Sequence, residues 1–334
     1  MVNTALVLDL VEHTSRLLPG QTVTVPLGGT DREQGGELIA AWCARTGNEL
    51  VHLGDEIATV RRGRRPDPFA GLEPDQLPGT RLWLYTNFDC NLACDYCCVR
   101  SSPQTARRAL GADRVRRLAT EAVEAGVSEL ILTGGEPFLL PDLDDLVASC
   151  TAALPTILLT NAMLFRGRRL AVLRRMDRDR LTLQVSLDSA TPDLHDQHRG
   201  TRSWERAVAG IRTAQAEGFR VRVAATLEPD RMVELEPFRH FLDDLGIARE
   251  DQVIRALAHR GVADSGLELT VESLVPEVTI TADGVYWHPV GADHEDQLVT
   301  RDVFPLRDAI AETTRLFVLH RRRADAAAQW FPCA

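Results

Sequence analysis

Four of the seven cysteines of this 334-residue chain fall in one short stretch, Asp89-Cys90-Asn91-Leu92-Ala93-Cys94-Asp95-Tyr96-Cys97-Cys98. In a reducing compartment, cysteines so concentrated read as a metal site before they read as disulfides. The spacing Cys-x3-Cys-x2-Cys offers three thiolates from one loop, those of Cys90, Cys94 and Cys97. A structural zinc site takes four ligands, and no second Cys or His pair with finger spacing follows. Three thiolates on an iron–sulfur cluster leave one iron open to a small molecule, which favours catalysis over a structural staple. A zinc knuckle is the alternative.

Other segments carry polar groups at places where apolar runs end. In Thr133-Gly134-Gly135-Glu136-Pro137, two glycines let the backbone approach a ligand while Glu136 offers a carboxylate to a cation. Taken alone, Gly-Gly before an acid is a common turn. Further on come Leu159-Thr160-Asn161, Val185-Ser186-Leu187-Asp188-Ser189 and His195-Asp196-Gln197-His198-Arg199-Gly200. For Asp188 and His195, capping a helix start competes with a place in the site. Cys98 points away from Cys97 if the loop is locally extended. Cys43, beside Trp42, and Cys150 sit on amphipathic helical patterns and read as buried apolar side chains. The chain has no lysine, which removes any Schiff-base mechanism.

The elements that must position these residues are legible from periodicity. Strands are expected near Leu82–Tyr85, Leu130–Thr133, Ile157–Thr160, Leu181–Ser186, Val221–Thr226 and Val253–Leu257, alternating with helices. One helix carries Val115, Leu118, Ala119 and Ala122 behind Asp113 as cap; others carry Leu143, Leu146, Val147 and Cys150, and Trp204, Ala207, Val208 and Ile211 behind Ser203. Six βα repeats imply a parallel sheet, and six rather than eight imply an α/β fold built on a partial, open (β/α)6 barrel over residues 81–260. Its chemistry belongs at the C-terminal mouth, on the strand-end loops.

Residues 1–62 read as a separate small α/β unit: a helix from Ala5 to Leu18, a strand at Thr22–Val25, a helix at Glu37–Arg45 and strands at Leu50–Leu53 and Ile57–Val60. Residues 63–80, with four prolines and three glycines, read as a linker. Residues 261–334 form a C-terminal hairpin and helix extension, with strands on either side of Asp283-Gly284.

The cysteine spacing, with an aromatic residue at Tyr96 before the last ligand, resembles the signature of the radical S-adenosylmethionine (SAM) superfamily. Gly134-Gly135-Glu136-Pro137 resembles that family's GGEP segment, which receives the methionine ammonium. Ser-Leu-Asp followed by His-Asp-x-x-Arg-Gly is similar to a branch that includes cofactor-maturation and peptide-modifying members. The resemblance, over roughly residues 82–260, implies a [4Fe-4S] cluster on Cys90, Cys94 and Cys97. It implies SAM held by Tyr96, Gly134, Gly135, Glu136, Asn161, Ser186 and Arg199. It also implies reductive SAM cleavage to a 5′-deoxyadenosyl radical, electrons from a flavodoxin or ferredoxin, and a peptide or small-molecule substrate. A non-catalytic metal-binding or adaptor protein derived from this fold is the other reading. The N-terminal unit resembles the TusA/SirA sulfur-carrier fold but lacks its Cys-Pro, so docking or substrate presentation is expected of it. The C-terminal hairpin resembles the start of an auxiliary-cluster domain; with only Cys333 remaining there, a second cluster is not expected. His288 reads as an ordinary packed or surface residue.

A net charge of −10 argues against general nucleic-acid binding. No apolar run reaches the roughly 18–20 residues that span a bilayer, and no signal-peptide pattern opens the chain, so a cytoplasmic protein with reduced thiols is expected.

Overall fold

The computed structural model describes residues 4–63, 67–228 and 235–330. Two compact units divide the chain, Met1–Leu72 with Phe317–Ala334, and Glu73–Leu316. The division falls within the stretch expected to be a linker, which also holds a short 3-10 turn at Pro74–Gln76.

In the smaller unit, α1 (Thr4–Ser15), β1 (Thr22–Pro26), α2 (Arg32–Thr46), β2 (Glu49–Leu53) and β3 (Ile57–Arg61) follow one another. The strands form an antiparallel sheet in the order β1-β3-β2. Helix α2 begins five residues before the expected Glu37. The Asp31 side chain caps it by accepting from the Gln34 amide, and Gly35 and Gly36 are buried within it. Leu6, Leu10, Val25, Ile39, Trp42, Cys43 and Val60 make its core. Burial raises the Cys43 thiol to about 11, as suits an inert apolar side chain.

The larger unit is built on β4 (Arg81–Tyr85), β5 (Glu129–Thr133), β6 (Thr156–Thr160), β7 (Leu181–Ser186), β8 (Arg220–Leu227) and β9 (Gln252–Ala256). All five neighbouring pairs are parallel and in sequence order. Between them run α3 (Ala112–Glu124), α4 (Leu143–Ala153), α5 (Gly167–Arg175), α6 (Pro192–Arg199), α7 (Ser203–Ala216) and α8 (Leu235–Asp244). Alternation along each strand divides the side chains. Leu82, Leu84, Leu130, Leu132, Leu158, Leu183 and Val185 join the helices in the main core, while Trp83, Ile131 and Ile157 cluster separately, with Leu159 against them, on the opposite face.

Two expected caps move. Helix α3 starts after Gly111, with Asp113 in its first turn where a carboxylate favours the helix dipole. Helix α7 starts at Ser203 itself, behind Arg202. The C-terminal segment adds strands to the same sheet. Strand β10 (Thr279–Ile280) pairs parallel with β4, β11 (Val285–Tyr286) returns antiparallel, and a third strand, β12 (Leu298–Thr300), extends the sheet to nine strands. Helix α9 (Leu306–Trp330) follows. Cys333 lies outside the described residues. Among the described residues no helix is long and apolar enough to cross a membrane.

Candidate active site

The first βα connection of the larger unit, directly after β4, is the cysteine loop. Cys90, Cys94 and Cys97 all line one cavity of about 220 Å³, together with Tyr96, Gly134, Gly135, Asn161, Ser186 and Arg199. Nine of the ten residues expected from the sequence therefore meet at one place, at the C-terminal ends of the parallel strands. The loop turns tightly, with the Cys97 amide donating to the Cys94 carbonyl (3.3 Å) and the Arg100 amide to the Cys97 carbonyl (3.3 Å). Segment 260–262 clamps it from outside: the Val262 amide donates to the Cys97 carbonyl at 3.1 Å. Backbone amides also point at sulfur, Leu92 to Cys90 Sγ (3.4 Å) and Ser101 to Cys97 Sγ (3.2 Å).

The tenth residue, Glu136, is placed differently. Its carboxylate is fully buried, accepting from the Phe138 amide (3.0 Å), Thr160 Oγ1 (2.8 Å) and the Asn161 amide (2.9 Å). Through these donors it ties the turn after β5 to the end of β6. Burial raises its pKa more than these donors lower it. The two glycines before it are required by close approach to the cysteine loop: a Cβ on Gly134 would stand 2.4 Å from Asn87 Oδ1, and one on Gly135 would stand 2.2 Å from the Asp89 carbonyl oxygen. The Gly135 and Glu136 amides donate to the Asn87 and Asp89 carbonyls, each at 3.0 Å. Asn161 continues the tie, its Nδ2 donating to Asn91 Oδ1 at 2.9 Å.

The third side is organised by Asp188. It accepts from Arg199 Nε (2.6 Å) and Nη2 (3.2 Å), from the Thr226 amide (3.1 Å) and from the Tyr96 hydroxyl. Burial would raise this carboxyl, but the Arg199 guanidinium outweighs it and holds the pKa below the usual carboxylate range. Arg199 in turn lies 5.3 Å from the Tyr96 ring centroid. Neither Asp188 nor His195 caps a helix. His195 Nδ1 accepts the Asp188 amide (3.2 Å), and burial lowers its pKa to about 4, so the ring is neutral. The capping residue is Asp196, which accepts from the Arg202 amide (2.6 Å), Ser203 Oγ (3.0 Å) and the Trp204 amide (2.8 Å) at the start of α7. His198 Nδ1 reaches Asp95 Oδ2 at 3.0 Å, so the same short helix also braces the cysteine loop.

Cys98 lines the same cavity, with its thiol pushed up to about 12 by burial and by Cys97. Asn87, Asp188 and Cys98 are contributors that local sequence pattern does not single out as a set. His288 is largely buried, its pKa lowered to about 4 by burial. Two neighbouring residues, Pro289 and Val290, form part of the cavity wall, so the C-terminal segment helps to cover the strand ends.

The donor chemistry suits an iron–sulfur cluster. Burial, reinforced by Glu136, raises Cys90 to about 12, and burial raises Cys94 to about 11, so these two thiols stay protonated at neutral pH and would ionise on binding iron. Among the described residues no three His, Cys, Asp or Glu side chains converge closely enough to hold a single metal ion. A cluster makes no such demand, because each thiolate binds a different iron.

Residues 84–245 match the model of the Radical SAM superfamily, and this part of the chain is a radical SAM domain. Enzymes of that family use a [4Fe-4S] cluster and SAM. Molybdenum cofactor biosynthesis protein 1 of Drosophila melanogaster is 36% identical over 145 residues, covering 42% of this chain and 25% of that protein. The antilisterial bacteriocin subtilosin biosynthesis protein AlbA of Bacillus subtilis (strain 168) is 29% identical over 159 residues, covering 47% of this chain and 35% of that protein. The matches thus span only a quarter to about a third of these two relatives' lengths. A solved structure of anSMEcpe with bound AdoMet shares the fold at a TM-score of 0.55 and 11% identity, covering 71% of this chain and 82% of that one.

Proposed function

We propose that this protein is a radical SAM enzyme acting on a peptide or a small metabolite. The observation that carries the reading is the meeting of three cysteines, the Gly134-Gly135 turn and Arg199 on one cavity at the strand ends. Cys90, Cys94 and Cys97 would hold a [4Fe-4S] cluster with one iron left for SAM. When bound, the cluster supplies an electron to the SAM sulfonium, giving methionine and a 5′-deoxyadenosyl radical that takes hydrogen from the substrate. Gly134 and Gly135 bring bare backbone to the cavity wall, where carbonyls can receive the methionine ammonium. Ser186 and Arg199 offer a hydroxyl and a guanidinium to its carboxylate; Asp188 fixes the guanidinium's plane. Tyr96 and Asn161 wall the rest. Cover over this pocket keeps water from a reactive species, and Pro289 and Val290 contribute to it.

The finer reading is a member of the branch marked by GGEP and His-Asp-x-x-Arg-Gly, reduced by a flavodoxin or ferredoxin in the cytoplasm. Residues 1–62 would serve as a degenerate TusA/SirA-like module that docks or presents substrate. AlbA, a bacteriocin biosynthesis protein, supports the peptide class, and the molybdenum cofactor protein supports the small-metabolite class.

Anaerobic reconstitution followed by iron, sulfide and zinc analysis tests the reading. About four irons are expected, with dithionite-driven release of 5′-deoxyadenosine from SAM. Cys94→Ala should abolish that release, whereas Cys150→Ala should not. One tightly held zinc and no SAM cleavage would instead support an adaptor.

A further inference from the structure

Besides Arg199, one other cation among the described residues lines the cavity. Arg255 lies on β9 opposite Thr226 of β8, and its exposed side chain shares the cavity wall with Trp83, Tyr85 and Cys98. Nearby arginines have acidic partners: Arg199 has Asp188, Arg222 and Arg220 share Asp251, and Arg260 has Asp296. The Arg255 guanidinium has no hydrogen-bond or ion-pair partner among the described residues. The described groups around it are engaged elsewhere. The Tyr85 hydroxyl donates to the Pro289 carbonyl at 2.8 Å, Glu277 accepts the Trp83 indole N–H, and His288 Nδ1 accepts the Val290 amide at 3.1 Å.

A guanidinium presents a planar fork of donors that matches carboxylate and phosphate oxygens, and a cavity wall of Trp and Tyr beside it suits the uncharged remainder of a ligand. We propose that the substrate is an anion, held in the cavity by a carboxylate or phosphate group on Arg255. This assignment rests on the radical SAM reading of the same cavity and names the chemistry of its substrate. Arg255 thereby acts as a specificity-determining residue at the wall, opposite in role to Arg199, whose fork Asp188 already occupies in part.

The test uses full-length reconstituted protein saturated with SAM, at ionic strength held constant with chloride. Calorimetric titrations are run with inorganic phosphate, with N-acetylglycine as a minimal carboxylate, and with neutral N-acetylglycinamide. At least one of the two anions should bind saturably while the neutral amide does not, and whichever binds identifies the source of the oxyanion. Arg255→Gln should weaken that binding by about tenfold or more, and Arg255→Lys should restore part of it. Absence of binding by both anions, or equal binding by wild type and Arg255→Gln, would overturn the inference; a shift of the cluster's reduction potential in Arg255→Gln without loss of anion binding would do the same. Release of 5′-deoxyadenosine by the same wild-type samples separates the two levels. If it fails, the radical SAM reading falls; if it persists while anion binding shows no dependence on Arg255, only the anionic substrate falls.

Discussion

His195 is buried with Nδ1 accepting the Asp188 amide, so the ring folds as a neutral acceptor and takes up a proton when the chain unfolds in acid. Its pKa falls from an ordinary 6.5 to about 4, chiefly through burial. Below 6.5 the unfolded state binds the extra proton, so this contribution to stability is complete above about pH 6.5 and is lost as pH falls through about 4. A shift of that size corresponds to a loss on the order of 3 kcal/mol. His195→Asn keeps a side-chain acceptor without a titrating ring, and its unfolding free energy should fall less steeply between pH 6.5 and 4 than that of the wild type; parallel profiles in urea unfolding would sink the account. Glu136 makes a second prediction at this scale. Because three buried donors end on its carboxylate, Glu136→Ala should destabilise the metal-free protein by roughly 3 kcal/mol or more, and Glu136→Gln by less. Thermal unfolding checks this. Unchanged melting with weakened SAM affinity would return Glu136 to the ammonium-binding role that its motif suggests.

At the scale of elements, the turn after β5 is pressed against the cysteine loop so closely that a single methyl group cannot enter. Gly135→Ala would drive a Cβ to within 2.2 Å of the Asp89 carbonyl oxygen, a contact that only a backbone shift can relieve. That shift falls on the strand-to-cysteine connection, so iron content after reconstitution should drop well below wild type while the fold, read by circular dichroism, persists at a cost of about 1–3 kcal/mol. Full iron loading in Gly135→Ala would mean that the loop has slack the packing does not show. The six parallel strands were legible because strands covered by helices are short, continuous apolar runs bounded by turn residues, as in Leu130-Ile131-Leu132. The cysteines and Gly134-Gly135 were legible because their types and spacing are local. What escaped notice depends on partners far away in sequence. Nothing near Thr279 specifies that it will pair with Trp83, and nothing near Asp188 specifies that Tyr96, Arg199 and Thr226 will all end on it. Asp196 is not legible as a cap because it caps the helix after its own. Cys98 defied the extended-loop expectation because the loop is a series of tight turns, closed by the Cys97 and Arg100 amides.

At the scale of the whole molecule, the division after Leu72 assigns the end of α9 to the smaller unit, where the ring of Phe317, only 3% exposed, lies 5.9 Å from that of Phe69. A fragment of residues 73–316 therefore keeps the parallel strands, the C-terminal strands and every residue of the cavity, and removes a helical end whose apolar partner would be missing. It should be soluble and should bind about as much iron as the full chain. A fragment of residues 73–334 retains Phe317 without Phe69, so it should aggregate more readily at equal concentration. If residues 1–62 dock or present substrate, the shorter fragment should still release 5′-deoxyadenosine slowly without substrate, while turnover of the true substrate suffers mainly through a raised KM. Gel filtration, iron analysis and product assay read the three parts separately. An insoluble or iron-free 73–316 fragment would mean that the smaller unit completes the catalytic core, and that the chain folds as one body rather than two.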